Sequence, residues 1–132
     1  DKTDLRAYEL KSKVNKTFKI ARIGRVEVVD TPWFNLSQHK EVFTDMFMFS
    51  GEERYHVKLR FNLLAHRIML EEYPHARSLM TQEDDAHWIF EADLVSYIGI
   101  ARFILGLFAD IEVLEDDGLR LFLRQRIGSM NI

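Results

Sequence analysis

Cysteine is absent from the 132 residues, which excludes disulfides, thiolate metal sites and a thiol nucleophile. A cytoplasmic location fits a chain with no such need for oxidation. Proline is scarce, with only Pro32 and Pro74. The six glycines are scattered, so no glycine-rich loop exists to cradle a phosphate. Long apolar runs are missing as well. The longest, Phe103 to Ala109, is broken by Gly106 and flanked by charge, far short of a membrane span. The first thirteen residues are polar and do not read as a secretory signal.

What remains is a globular composition. Hydrophobic residues make up 47% of the chain and aromatics 12%, ample for a buried core. The net charge of −3 conceals an asymmetry. Residues 1–25 hold eight Lys/Arg against three acids, and the rest holds ten against eighteen. Such a split points to two modules with different electrostatic tasks. A basic front can meet nucleic acid or another anion, although strand lysines also serve simply to solvate an edge.

Leu5 to Leu10 alternates like a short strand, and Lys11 to Lys16 supplies a turn. Thr17 to Val29 predicts one long or two short strands, with a break near Gly24 and an end at Thr31-Pro32. Trp33 to Ser50 connects the modules. It is rich in phenylalanine and methionine, so it is expected to dock on a neighbour, with a helical turn over Ser37 to Val42.

Beyond Gly51 the periodicities become regular. Tyr55, Val57, Leu59 and Phe61 form the buried face of a strand, and Asn62 caps a helix that stops before Pro74. Arg77 to Gln82 predicts a weak strand and His87 to Leu94 a stronger one that buries Trp88, Phe90 and Ala92. Ser96 caps a helix over Tyr97 to Phe108, in which Gly99 and Gly106 allow close approach to the sheet. Ile111 and Val113 mark another strand, and Asp116-Asp117 opens a last helix with Arg124 and Arg126 late, as the helix dipole favours. The order β-α-β-β-α-β-α predicts an α+β, ferredoxin-like antiparallel sheet with helices on one face.

Catalytic signatures are few. His39, His56, His66, His75 and His87 show no metal-ligand spacing, though His56 and His87 become neighbours if their strands pair. Glu71-Glu72 and Asp84-Asp85 are adjacent and so do not share a face, unlike an acid/base pair. An acyl-phosphate hydrolase on this scaffold carries a glycine-rich loop after its first strand, whereas Phe61-Asn62-Leu63-Leu64 enters the helix directly. The chain therefore does not read as an enzyme, and no metal or cofactor is expected.

Asn15-Lys16-Thr17-Phe18-Lys19-Ile20-Ala21-Arg22-Ile23 resembles the closing strand, Arg-x-Phe-x-x-x-Arg-Ile, of bacterial WYL-domain transcriptional regulators. Arg6-Ala7-Tyr8 would belong to the preceding strand. Tyr55 to Phe61, Glu71-Glu72-Tyr73-Pro74, Arg102-Phe103-Ile104-Leu105-Gly106-Leu107 and Asp110 to Leu114 resemble the WCX extension that follows WYL domains. The resemblance implies a division into residues 1–33, the last strands of an Sm/SH3-like WYL barrel; 34–50, a connector; and 51–132, a WCX-like domain. It implies an anionic effector or nucleic acid at the barrel, dimer contacts in the extension, and DNA reading by a helix-turn-helix not present in this sequence. Arg22 matches the family's closing arginine and Phe18 its buried aromatic. Lys16 stands where arginine is usual and Ala21 where an acid is common, and lysine lacks arginine's planar fork. Arg22, Lys16, Lys19 and Arg6 are the candidate effector contacts. The whole reads as the effector-sensing, dimerising part of a DNA-binding regulator, expected as a homodimer away from membranes. The other reading is a stand-alone ferredoxin-like small-molecule binding module.

Overall fold

Two units make up the structure, a computed structural model that describes residues 3–39 and 43–132. The first spans Asp1–Val42 and the second Phe43–Ile132.

In the first unit, β1 (Asp4–Glu9) pairs antiparallel with β2 (Val14–Lys19). The turn between them closes with the Lys13 N–H donating to the Glu9 carbonyl at 2.8 Å, and Lys13 takes φ of 58°. β2 stops at Lys19 and passes into a short 3-10 turn, Ile20–Arg22. The strand expected through Val29 is therefore cut short. Its pattern is right for a strand, but β1 is exhausted at Asp4↔Lys19, and Ile23 to Val29 has no ladder partner among the described residues. The described residues form no closed barrel: one sheet has two strands and the other, in the second unit, has four. A helical turn lies at Asn35 to His39, where the His39 N–H donates to the Asn35 carbonyl at 3.1 Å. The one expected over Ser37 to Val42 falls partly outside the described residues.

The second unit is a mixed α/β layer pair. β3 (Tyr55–Phe61), β4 (Met80–Gln82), β5 (Trp88–Leu94) and β6 (Ile111–Glu115) form one antiparallel sheet in the order β4-β5-β3-β6. α1 (Leu63–Glu72), α2 (Ile98–Gly106) and α3 (Asp117–Gly128) complete it. Strand alternation sorts the two faces. Val57, Leu59, Phe61, Phe90, Ala92 and Leu94 point into the core with Ala65 and Met69 of α1, Ile100 and Phe103 of α2, and Leu119 of α3. His56, Lys58, Arg60, Glu91 and Asp93 hold the opposite face.

Helix starts follow the capping chemistry read from the sequence. Asn62 Oδ1 accepts from the Ala65 N–H at 3.0 Å, and Asp116 Oδ1 accepts from the Leu119 N–H at 2.7 Å. α2 differs: it starts at Ile98 rather than Tyr97, and Tyr97 is its N-cap with no side-chain cap bond. Ser96, one residue earlier, accepts through Oγ from the Ile98 N–H at 3.1 Å, and the helix ends at Gly106 rather than Phe108. Between α1 and β4 the chain winds as a 3-10 helix, Pro74–Leu79, so only the last three residues of the strand expected over Arg77 to Gln82 reach the sheet. Proline at the start of a helical turn is favourable there, because its missing N–H is not needed.

The segment from Phe43 to Ser50 docks on this unit. Met46 is buried in its core, and the Met46 carbonyl lies 3.1 Å from His75 Nε2. Phe47 packs edge-on against Tyr73 with ring centroids 4.9 Å apart. A Cβ on Gly99 would fall 2.5 Å from the Phe47 ring, so that glycine admits Phe47 and not the sheet. Gly106 has nothing within 4 Å of the same position.

Candidate functional site

The basic residues of the hairpin are placed by its register. Cross-strand partners share a face, which puts Arg6, Thr17, Asp4 and Lys19 on one side and Lys16, Ala7, Leu5 and Phe18 on the other. Arg6 and Lys19 are thus brought to one face and Lys16 is turned away from them. Most of these charges have local partners. Lys19 Nζ lies 2.8 Å from Asp4 Oδ1, Lys16 Nζ lies 2.8 Å from Glu9 Oε1, and Arg6 Nη1 donates to Thr17 Oγ1 at 2.9 Å. The hydrogen bond from Lys16, then that from Ser12, holds the Glu9 carboxyl below its ordinary value. Arg22, at the end of the 3-10 turn, is exposed and makes no side-chain hydrogen bond or ion pair among the described residues. It differs from the others in being electrostatically uncommitted.

The histidines do not assemble. β3 and β5 pair with His56 opposite Asp93 and Phe61 opposite Trp88, so His87 falls beyond the far end of the ladder from His56. Their expected proximity fails because the register is antiparallel. His87 Nδ1 instead lies 2.9 Å from Asp84 Oδ1 in the turn before β5. His66 stacks flat on Trp88 with centroids 4.3 Å apart, and burial, then the charges of Arg77 and Arg67, lower its pKa. Among the described residues no group of three His, Asp or Glu side chains has the arrangement of a metal site.

His56 sits between two carboxylates on the open sheet face, with Nδ1 2.8 Å from Asp93 and Nε2 3.4 Å from Glu91. The Asp93 hydrogen bond, then that of Glu91, raises its pKa above the ordinary 6.5. Its protonated form thus stabilises the fold fully below the unfolded value, and that contribution fades as pH rises through the raised folded value. Urea unfolding of wild type and His56→Ala is expected to show the larger gap at pH of about 5.5 and a smaller one at about 8.5. A gap that widened with pH would contradict this ion-pair assignment.

The second unit also carries a cleft of about 300 Å³, lined by Phe47, Phe49, Glu72, Tyr73, Gly99, Arg102 and Phe103. Besides Met46, the docked loop that forms one wall is held by a buried carboxylate. Asp45, 4% exposed, accepts from the Phe47 and Phe49 N–H groups through Oδ1 at 2.9 and 3.0 Å. Its Oδ2 accepts from the Val95 N–H at 2.9 Å, tying the loop to the end of β5. Sequence reasoning did not single out this cleft. The signal was nonetheless present: Arg102 is the one charge in the otherwise apolar helix Ile98–Gly106.

An antiparallel α/β unit with one sheet face under helices and the other open and charged defines the class. More particularly, the WCX domain family matches residues 53–130, more than half of the chain, and the chain belongs to that family. WCX domains are the C-terminal extensions associated with WYL domains, in regulatory proteins rather than known enzymes. No curated protein and no solved structure matches the chain. No helix among the described residues is long and apolar enough to cross a membrane.

Proposed function

We propose that this chain is the non-catalytic effector-sensing and dimerisation region of a bacterial, cytoplasmic DNA-binding transcriptional regulator. The observation that carries the reading is the WCX match over residues 53–130. The strand order β4-β5-β3-β6, reached through helical crossovers, supports a ferredoxin-like architecture for the extension. The hairpin is read as the closing strands of a WYL barrel, with residues 34–50 leading from it into the extension. DNA contact falls to a helix-turn-helix elsewhere in the parent protein.

Within this reading, an anionic effector or nucleic acid meets Arg22 first. Arg6 and Lys19 contribute from one face of the hairpin and Lys16 from the other, each giving up a local partner to do so. Arg22→Ala in the parent regulator is expected to weaken nucleic-acid binding and to reduce the salt dependence by about one phosphate contact. Unchanged affinity together with an unchanged salt slope would remove Arg22 from the site.

Dimerisation is supported by the apolar surface of the first unit. Val26 is 77% exposed, Val28 99% and Phe34 77%, which is costly to leave in water when clustered. Light scattering at micromolar concentration is expected to give the mass of a dimer. A clean monomer would overturn this part of the proposal.

A further inference from the structure

We propose that the cleft of the second unit is a binding site for a free α-amino acid with a bulky apolar side chain, taken up between Arg102, Glu72 and the Phe47–Tyr73 aromatic wall. The site lies wholly within one unit and does not rest on the role given to Arg22.

The walls come from three elements. Phe47 and Phe49 belong to the docked loop, Glu72 and Tyr73 to the end of α1 and the residue after it, and Gly99, Arg102 and Phe103 to α2. The aromatic wall is fixed before any ligand arrives. Asp45 holds both Phe47 and Phe49 by their backbone N–H groups, and Phe47 is seated edge-on against Tyr73 in the space that Gly99 leaves. Such preorganisation lowers the ordering cost of binding. A volume near 300 Å³ is at the small end of ligand pockets and suits a single amino acid.

The charges decide the chemical class. His56, Arg60 and Arg120 in the same unit each lie within 4 Å of a carboxylate. Lys58, Arg67, Arg77 and Arg124 do not among the described residues, and of the unit's unpaired charges Arg102 and Glu72 are the two that line the cleft. Arg102 and Glu72 line one cleft with opposite charges, yet neither takes part in an ion pair or side-chain hydrogen bond among the described residues. One cation and one anion, held apart at an aromatic wall, complement a zwitterion with an apolar side chain. The α-carboxylate is received by the planar fork of Arg102. The α-ammonium faces Glu72, and a ring or branched side chain lies against Phe47, Tyr73 and Phe103.

The test is titration of the 132-residue chain, followed by amide NMR and calorimetry. The probes are L-phenylalanine, phenylacetate, which lacks the ammonium group, and phenethylamine, which lacks the carboxylate. L-Phenylalanine is expected to shift the amides of Phe47, Gly99 and Arg102. Each truncated probe is expected to bind about tenfold or more weakly, the usual effect of losing a charged hydrogen bond. Arg102→Gln should abolish the preference for L-phenylalanine over phenethylamine, and Glu72→Gln the preference over phenylacetate. Both side chains are exposed, so the folded spectrum serves as an internal control on each variant. The proposal fails if the cleft amides stay still at millimolar L-phenylalanine, if phenylacetate binds as well as the amino acid, or if both variants bind it as wild type does.

Discussion

Asp45→Ala is expected to destabilise the second unit by about 3 kcal/mol or more and to release the Phe43–Ser50 loop. The carboxylate has no hydrogen to donate, so both oxygens serve only as acceptors, and three backbone N–H groups converge on them. Alanine would leave Phe47, Phe49 and Val95 without that acceptor in a place where Asp45 itself is 4% exposed. Each buried donor left unsatisfied costs about 1–3 kcal/mol, partly recovered as water enters the opened loop. Asp45→Asn keeps the shape but places an N–H₂ group against one set of donors, so it should cost about half as much. Urea unfolding measures both losses. Hydrogen exchange identifies their origin, because protection should fall at the amides of Phe47, Phe49 and Val95 before it falls on β3. A change within about 0.5 kcal/mol, the range of an ordinary surface substitution, would show that the loop is not held by this residue.

Asp45 also marks the limit of what the sequence makes legible. The alternation of Tyr55 to Phe61, the Asn62 cap and the Asp116 start are local patterns, and each forms where its spacing places it. Their information lies within a few residues of the feature they specify. Asp45 depends on Val95, fifty positions away, and Gly99 depends on Phe47, so neither role has a local signature. The excess of phenylalanine and methionine over Trp33 to Ser50 does announce docking, and Met46 and Phe47 provide it, but composition cannot name the acceptor. The same distinction explains the hairpin. Its lysines are visible as charge, while their pairing with Asp4 and Glu9 is fixed by the register that the Leu10 to Lys13 turn sets. Val26 and Val28 have strand character, yet a strand exists only through its neighbour, and none of the described residues is that neighbour. Arg102 and Glu72 fall in separate sequence blocks and come to line one cleft only in the folded unit.

Phe61→Ala is expected to have the largest effect of all, about 3–5 kcal/mol, the range for truncating a fully buried phenylalanine. Phe61 is 0% exposed and sits on β3, one of the two inner strands of the sheet, opposite Trp88 of β5 and Ile111 of β6. Its ring stacks on Phe90 at 5.6 Å between centroids and meets Phe103 of α2 at 5.9 Å. Removing it would open a void between sheet and helix where the rings of Phe61, Phe90 and Phe103 meet. Domain stabilities of about 5–15 kcal/mol leave little reserve against such a loss, and exposed core surface should appear as dye binding or aggregation on mild warming. The neighbouring Arg60→Ala supplies the contrast. That guanidinium lies 2.8 Å from both Glu83 and Glu112, but on the open face of the same strand, and partly exposed ion pairs contribute only about 0–1 kcal/mol. Adjacent residues on one strand are thus expected to differ severalfold in cost, solely because the pleat turns one toward the helices and the other toward water. Equal losses for the two variants would mean that the charged face is covered in the working protein, and would move the search for a partner from the hairpin to the open sheet.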